Sequence, residues 1–272
     1  MASQHEKIAF LGGGNMARAI IQGLCQEGYP GKTIQVSEPF AERRTALQES
    51  FAVKVFEENS AAVRKADLVV VAVKPNMVLN VLEEVAEHLK PDTVVLSIAA
   101  GMDLAAMESA LNPDQPLIRA MPNTPALVGE GMTVLAPIRG TSDQAVALAE
   151  KVMGAVGQVA VVQNEALMDG VTALSGSGPA YFFLMAEALS DGGVAAGLPR
   201  DLADRLAVQT MMGSAALLKE SGQHPGVLKN QVTSPGGTTI AGIGALEQGG
   251  FRGTLMAAVD AACKRSKALS NQ

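Results

Sequence analysis

The sequence has no tryptophan, two tyrosines and seven phenylalanines in 272 residues, so aromatics make up only 3% of it. Its core must therefore come from Ala, Val, Leu, Ile and Met, because 48% of the residues are apolar. Small side chains of that kind suit close helix packing and a buried parallel sheet. Cysteine and histidine are equally scarce: Cys25, Cys263, His5, His88 and His224. The two cysteines lie far apart with no C-x-x-C, which excludes a disulfide scaffold and reads as reduced core residues. Together the five residues make no metal-ligand spacing, so no metal is expected. No uncharged apolar run reaches the ~18 residues that a membrane span requires. The N-terminal MASQHEK has none of the apolar stretch of a signal peptide. The expectation is a cytoplasmic chain with no membrane partner. Basic charge is also in short supply. The net charge is −6, and basic residues occur singly or in pairs such as Arg43-Arg44 and Lys264-Arg265, which argues against a nucleic-acid partner. The length allows one large domain or two ordinary ones.

What is present is an alternation. Residues 7–12 (KIAFLG) form a short apolar run closed by glycine, as a buried strand does, and residues 15–28 follow with Met16, Ala19, Ile20, Gly23 and Leu24 at helical spacing. A strand is expected over Thr33–Ser37, a polar helix over 40–50 and a strand over 67–73 (DLVVVAV), which Lys74-Pro75 ends because proline cannot continue a central ladder. Helices over 76–89 and 103–111 separate strands over Thr93–Ala99 and Leu117–Ala120, and residues 131–136 and 157–162 read as strands flanking a helix over 142–155. This pattern predicts an α/β N-terminal Rossmann domain: a doubly wound, mainly parallel sheet with helices on both faces. Beyond residue 165 the pattern contains no strand. Helices are expected over 179–197, 200–221, 225–231, 238–248 and 251–269, with Pro179 in a first turn. The chain should thus divide into residues 1–164, which bind a dinucleotide, and residues 165–272, an all-α C-terminal domain. Long apolar helices in so short a piece complete their burial against a partner chain.

Gly12-Gly13-Gly14-Asn15-Met16-Ala17 fits G-x-G-x-x-G/A. Gly12 allows the tight turn out of the strand, Gly14 lets backbone approach a pyrophosphate, and Ala17 permits close packing of helix on sheet. The free N–H groups of the helix start, around Asn15 and Met16, favour the anion. The motif follows a strand, precedes a helix and opens a β/α series, which is the context it needs. The acidic residue expected after the second strand is Glu38, in Ser37-Glu38-Pro39. A carboxylate there favours the ribose diol of NAD and repels the 2′-phosphate of NADP. Arg43 and Arg44 follow closely and could answer a phosphate instead, so both cofactors stay open. Loops after later strands should line the same cleft: Ala72-Val73-Lys74-Pro75, Ala99-Ala100-Gly101 and Met121-Pro122-Asn123. Lys74 is either a base or, more simply, a solvated lysine at a strand end.

Three segments are rich in glycine and hydroxyls for a helical region: Thr172–Tyr181, Ser234–Ile240 and Leu246–Arg252. Pro-Gly-Gly-Thr-Thr ahead of a helix offers free N–H groups and two hydroxyls, an arrangement suited to a carboxylate. Plain helix punctuation explains it equally well. With GGGNMA at 12–17, AVKP at 72–75, SIAAG at 97–101, RAMPNTP at 119–125, ALSGSGPAY at 173–181 and SPGGTT at 234–239, the whole chain resembles the Δ1-pyrroline-5-carboxylate reductase family. The resemblance implies hydride transfer from NADPH or NADH to the C=N carbon of 1-pyrroline-5-carboxylate, giving L-proline in the last step of proline biosynthesis. By that resemblance Gly12, Gly14, Asn15 and Met16 form the pyrophosphate loop. Ser37, Glu38 and Asn59 lie on the adenosine side. Ala72, Val73, Lys74, Pro75, Ala99 and Gly101 line the cofactor cleft, and Met121, Pro122 and Asn123 lie near the nicotinamide. The substrate side comprises Glu165, Ser175, Gly237, Thr238 and Thr239. Backbone amides at 237–239 hold the carboxylate, and Thr239 is the catalytic hydroxyl near the ring nitrogen. The resemblance also implies a homodimer through the C-terminal helices and assembly into a decamer; the apolar helices over 179–197 and 200–221 agree with a dimer, with Met211-Met212 expected in its interface. One departure concerns Glu38, which stands where some members carry a small hydroxyl residue facing the 2′-phosphate.

The chemistry asks little of the protein, since the cofactor carries the hydride. The site must hold the imine ring in an attack geometry, and Thr239, a weak acid, is suited to orienting the nitrogen. A rival is the β-hydroxyacid dehydrogenase pattern G-x-G-x-x-x-K with a catalytic lysine, but after Gly176-Ser177-Gly178 the lysine place holds Phe182. A non-catalytic dinucleotide-binding sensor is a second rival; it would need no organised second pocket.

Overall fold

The computed structural model describes residues 5–270. Residues 1–4, part of the N-terminal MASQHEK, and residues 271–272 lie outside the described residues. In chain order the elements are β1 (Ile8–Leu11), α1 (Asn15–Gln26), β2 (Ile34–Ser37), α2 (Ala41–Phe51), β3 (Lys54–Phe56), α3 (Asn59–Val63), β4 (Leu68–Val71), α4 (Val78–Ala86), β5 (Val94–Ser97), α5 (Leu104–Ser109) and β6 (Leu117–Met121). They continue with β7 (Gly131–Pro137), α6 (Asp143–Gly154), β8 (Gly157–Val161), α7 (Met168–Val171), α8 (Gly178–Ala195), α9 (Arg200–Ser221), α10 (Pro225–Gln231), α11 (Thr238–Gln248) and α12 (Phe251–Ser270).

The eight strands form one sheet in the order β3-β2-β1-β4-β5-β6-β7-β8. Every pair is parallel except β6–β7, which is antiparallel. The mainly parallel, doubly wound sheet expected from the sequence is therefore present. Its antiparallel step follows from the short link between Met121 and Gly131, which leaves no room for a crossover helix. Three short elements, β3, α3 and α7, were not expected. At three, five and four residues they carry too little periodicity to show in a sequence.

Each central strand alternates faces, and both faces are buried. Ile8, Phe10, Leu68, Val70, Val94 and Leu96 face one core layer with Ile20, Leu24, Ala149 and Val152 of α1 and α6. Ala9, Leu11, Val69, Val71 and Val95 face the other with Val78, Leu82, Val85 and Met107 of α4 and α5. This is why the strands read as unbroken apolar runs. Each large side chain so buried contributes roughly 1.5–3 kcal/mol.

Strand order reverses between β1 and β4, the place where a doubly wound sheet opens a ligand crevice. The ladder runs one residue past the strand ends there. The Gly12 N–H donates to Ser37 O at 2.9 Å, the Ala72 N–H to Leu11 O at 2.9 Å and the Ile98 N–H to Val71 O at 3.1 Å. Three expected cofactor loops are thereby fixed side by side at the carboxyl edge.

The described residues divide into two compact units. One comprises residues up to Gly176 together with those from Ala262 onward; the other is Ser177–Ala261. The expected boundary lay after residue 164. Residues 165–176 belong instead with the sheet, because Met168 packs on Val134 and Ala136 of β7 and Ala173 is fully buried. The end of α12 joins the same unit, where the Ser266 hydroxyl donates to Asp169 Oδ1 at 2.7 Å. The second unit is wholly helical among the described residues, and α8 and α9 form its central pair. No helix among the described residues is long and apolar enough to cross a membrane.

Candidate active site

The glycine loop has the geometry its motif requires. Gly12 sits at φ +97°, and a β-carbon there would come within 2.8 Å of the Ala72 carbonyl oxygen. Gly14 is the N-cap of α1, makes no side-chain cap, and has open space where a β-carbon would lie. The first-turn N–H groups from Asn15 onward have no partner within the helix. These donors, on a helix whose dipole favours an anion, fit a pyrophosphate. Asn15 is exposed and Met16 half-buried on the same turn.

Ser37 and Glu38 follow at the end of β2, both buried. The Ser37 hydroxyl donates to Asn59 Oδ1 at 2.6 Å, and the Asn59 amide donates onward to Glu84 at 2.8 Å. Glu38 accepts the Gly13 N–H on Oε2 and the Phe40 N–H on Oε1, both at 3.1 Å. The expected adenosine-side group of Ser37, Glu38 and Asn59 is thus brought together with the glycine loop. Along the same edge, Lys74 begins the single turn Pro75–Met77 and its side chain is exposed. Ala99 is anchored by its N–H on Ser97 Oγ at 3.4 Å, and Gly101 turns at φ +76°.

Asn123 organises the far end of the crevice. Its amide donates to the Ser175 carbonyl and hydroxyl, each at 3.3 Å, and its Oδ1 accepts the Met132 N–H at 2.9 Å. Ser175 lies in a π-helical turn, Thr172–Gly176, a form concentrated at functional sites. Gly176 lies against the Met121 terminal methyl, which a β-carbon there would displace. Met121, Pro122, Asn123 and Ser175 are therefore one constellation.

Glu165 belongs to a third. Its Oε1 accepts the Leu104 N–H at 2.9 Å and forms an ion pair with Arg119 Nη1 at 2.9 Å. Arg119 is buried within β6. It escaped attention in the sequence although it carried a signal, a lone charge in an otherwise apolar strand. Glu165 keeps 28% of its side chain exposed, and its second oxygen has no partner among the described residues.

In the helical unit, Gly237 is the N-cap of α11 and makes no side-chain cap. A β-carbon on Gly237 would overlap the Ser234 hydroxyl. Thr238 is exposed and Thr239 half-buried on the first turn. Neither hydroxyl has a hydrogen-bond partner among the described residues. Two free hydroxyls and the open N–H groups of an eleven-residue helix thus lie together at its start. No group of His, Cys, Asp and Glu among the described residues could hold a metal.

A glycine loop at the switch point of a doubly wound sheet marks a dinucleotide-dependent oxidoreductase. Comparison with known proteins refines this. Residues 165–269 match the family described as pyrroline-5-carboxylate reductase dimerisation, and residues 7–101 match the one described as NADP oxidoreductase, coenzyme F420-dependent. The chain is 46% identical over 266 residues to the pyrroline-5-carboxylate reductase of Arabidopsis thaliana, covering 97% of this chain and 95% of that one. Its fold superposes on a pyrroline-5-carboxylate reductase from Coxiella burnetii with a TM-score of 0.95 at 38% identity, covering 98% and 99% of the two chains. The Plasmodium falciparum pyrroline carboxylate reductase with NADP bound gives a TM-score of 0.86 at 31% identity, covering 98% of each chain. The chain belongs to the pyrroline-5-carboxylate reductase family.

Proposed function

We propose that this chain reduces 1-pyrroline-5-carboxylate to L-proline with NADPH or NADH, as the last step of proline biosynthesis in the cytoplasm. The observation that carries this reading is an uncapped α11 start with two free threonine hydroxyls in a chain whose glycine loop fits a pyrophosphate. When bound, the nicotinamide supplies the hydride.

The residues of the chain do the positioning. Gly12, Gly14, Asn15 and Met16 receive the pyrophosphate. Ser37, Glu38 and Asn59 hold the adenosine side. Ala72, Val73, Lys74, Pro75, Ala99 and Gly101 line the cleft, and Met121, Pro122 and Asn123 flank the nicotinamide. The N–H groups of Gly237, Thr238 and Thr239 receive the substrate carboxylate, a charge that a helix start favours. The Thr239 hydroxyl orients the ring nitrogen as it passes from iminium to amine. Glu165, steadied by Arg119, and Ser175, steadied by Asn123, border the substrate. Residues 165–272 form the substrate and dimerisation part of the chain.

Apolar side chains stand exposed on α8 and α9, among them Phe182, Phe183, Leu184, Leu206 and Met212. Patches of this kind mark an interaction surface, and a homodimer through these helices covers it, with assembly of dimers into a decamer.

The test is product analysis. Incubation with the imine and either reduced cofactor should yield L-proline, resolved from the D-form by chiral chromatography. Tight dinucleotide binding with no proline formed would overturn the substrate assignment while leaving the cofactor site intact.

A further inference from the structure

We infer that the adenosine end of the crevice selects NADH over NADPH, with Glu38 as the residue that decides. The inference rests on the dinucleotide reading above. The sequence leaves the choice open because Arg43 and Arg44 stand close to the carboxylate; the structure shows what each arginine does.

Glu38 is 3% exposed and fixed at both oxygens, by the Gly13 N–H within the glycine loop and by the Phe40 N–H. It cannot turn away without orphaning the Gly13 donor, so its charge stays at the position where this fold receives the adenosine ribose. Arg44 is committed elsewhere. Its Nη1 donates to the Glu38 and Pro39 carbonyls at 2.7 and 2.8 Å, and its Nη2 pairs with Glu57 at 3.1 Å. Arg43 is 60% exposed, with its guanidinium 5.0 Å above the Phe40 ring and 3.8 Å from Glu38 Oε2. Its charge is already set against the Glu38 carboxylate.

The neutral groups nearby are engaged as well. The Ser37 hydroxyl is used on Asn59, and the Asn59 amide on Glu84. A 2′-phosphate arriving here brings about two negative charges to a buried carboxylate with Glu57 and Glu84 close by. Ser37, Arg44 and Asn59 are each held in place by an acceptor, and Arg44 and Asn59 by carboxylates whose charge opposes a phosphate. A ribose 2′-hydroxyl instead donates to Glu38 without charge conflict.

The experiment is calorimetric titration of the full-length protein with NADH and with NADPH, without substrate. NADH should bind at least about tenfold more tightly, the order that one like-charge contact near a surface imposes. Equal affinity, or tighter NADPH, would overturn the inference while leaving the dinucleotide site standing. Binding of neither would remove both. Glu38→Ser should move the affinity ratio toward NADPH by about tenfold or more. Glu38→Gln keeps an acceptor for the Gly13 N–H and should move it in the same direction even if the serine variant folds poorly. A ratio unmoved in folded Glu38→Gln would contradict the role of Glu38. Arg43→Ala should leave NADPH affinity within about threefold; a larger loss would show that Arg43 receives the phosphate, which contradicts the inference.

Discussion

Gly12 combines a left-handed backbone with a carbonyl 2.8 Å from where a β-carbon would stand, so alanine meets strain and overlap together. Gly12→Ala should weaken dinucleotide binding by about 10- to 100-fold, the equivalent of roughly 1–3 kcal/mol of backbone strain. Titration calorimetry measures it, and affinity within about twofold of the parent would show that the turn tolerates a side chain. Thr239→Ala should lower kcat/KM by ~10- to 1000-fold, with Thr239→Ser largely restoring it; an unchanged kcat/KM removes the hydroxyl from the chemistry. A purely structural residue behaves differently. The Lys151 ammonium and the Tyr29 hydroxyl both bond the Glu6 carboxylate and hold its pKa down at about 2. Its unfolded value is about 4.3, so the stabilisation is present above that pH and is lost as pH falls toward the folded value. Glu6→Gln should therefore lower Tm near pH ~7 and match the parent Tm near pH ~2. A gap of equal size at both pH values would show that the effect is not electrostatic. The residue scale was also where sequence told least. Glu38 could be found from its place after a strand, but the partners of Arg44 are two carbonyls and a distant carboxylate, which no spacing rule reveals.

Long elements could be read because their periodicity is strong. Strands β1, β4 and β5 are buried on both faces and appear as apolar runs, and α9 spans 22 residues to a left-handed Gly222. Short elements could not. The π-helical turn Thr172–Gly176 is a shift of hydrogen bonding inside a helical sequence, imposed by its packing on Met121 and Asn123. The link from Glu165 to Arg119 spans 46 positions. That pair ties the segment entering the π-turn to β6 and, through the Leu104 N–H, to the start of α5. Arg119→Met should destabilise the protein by about 3 kcal/mol, the lower end for breaking a buried pair, because Glu165 is part-exposed. Denaturant unfolding measures this, and the double variant Arg119→Met/Glu165→Met should lose less than the sum of the single changes. Additive losses would mean that the two side chains act independently.

For the whole molecule, the large apolar side chains exposed on α8 and α9 set the expectation, with Phe183 at 67% and Leu206 at 48%. Residues 165–269 match a dimerisation family, and the scarcity of charge in α8 could already be read in the sequence. Phe183→Glu and Leu206→Glu should each raise the dimer dissociation constant by about 100-fold, within the range for a buried anchor, as followed by light scattering over a dilution series. An unchanged dimer would place the interface elsewhere. The central claim remains that this chain is an imine reductase. It is tested most directly by following the absorbance of reduced nicotinamide with 1-pyrroline-5-carboxylate and, in parallel, by offering oxidised cofactor with β-hydroxy acids. Rapid loss of the reduced cofactor with the imine, faster with NADH, and no turnover of the hydroxy acids is the expected result. Turnover of a hydroxy acid with none of the imine would contradict it.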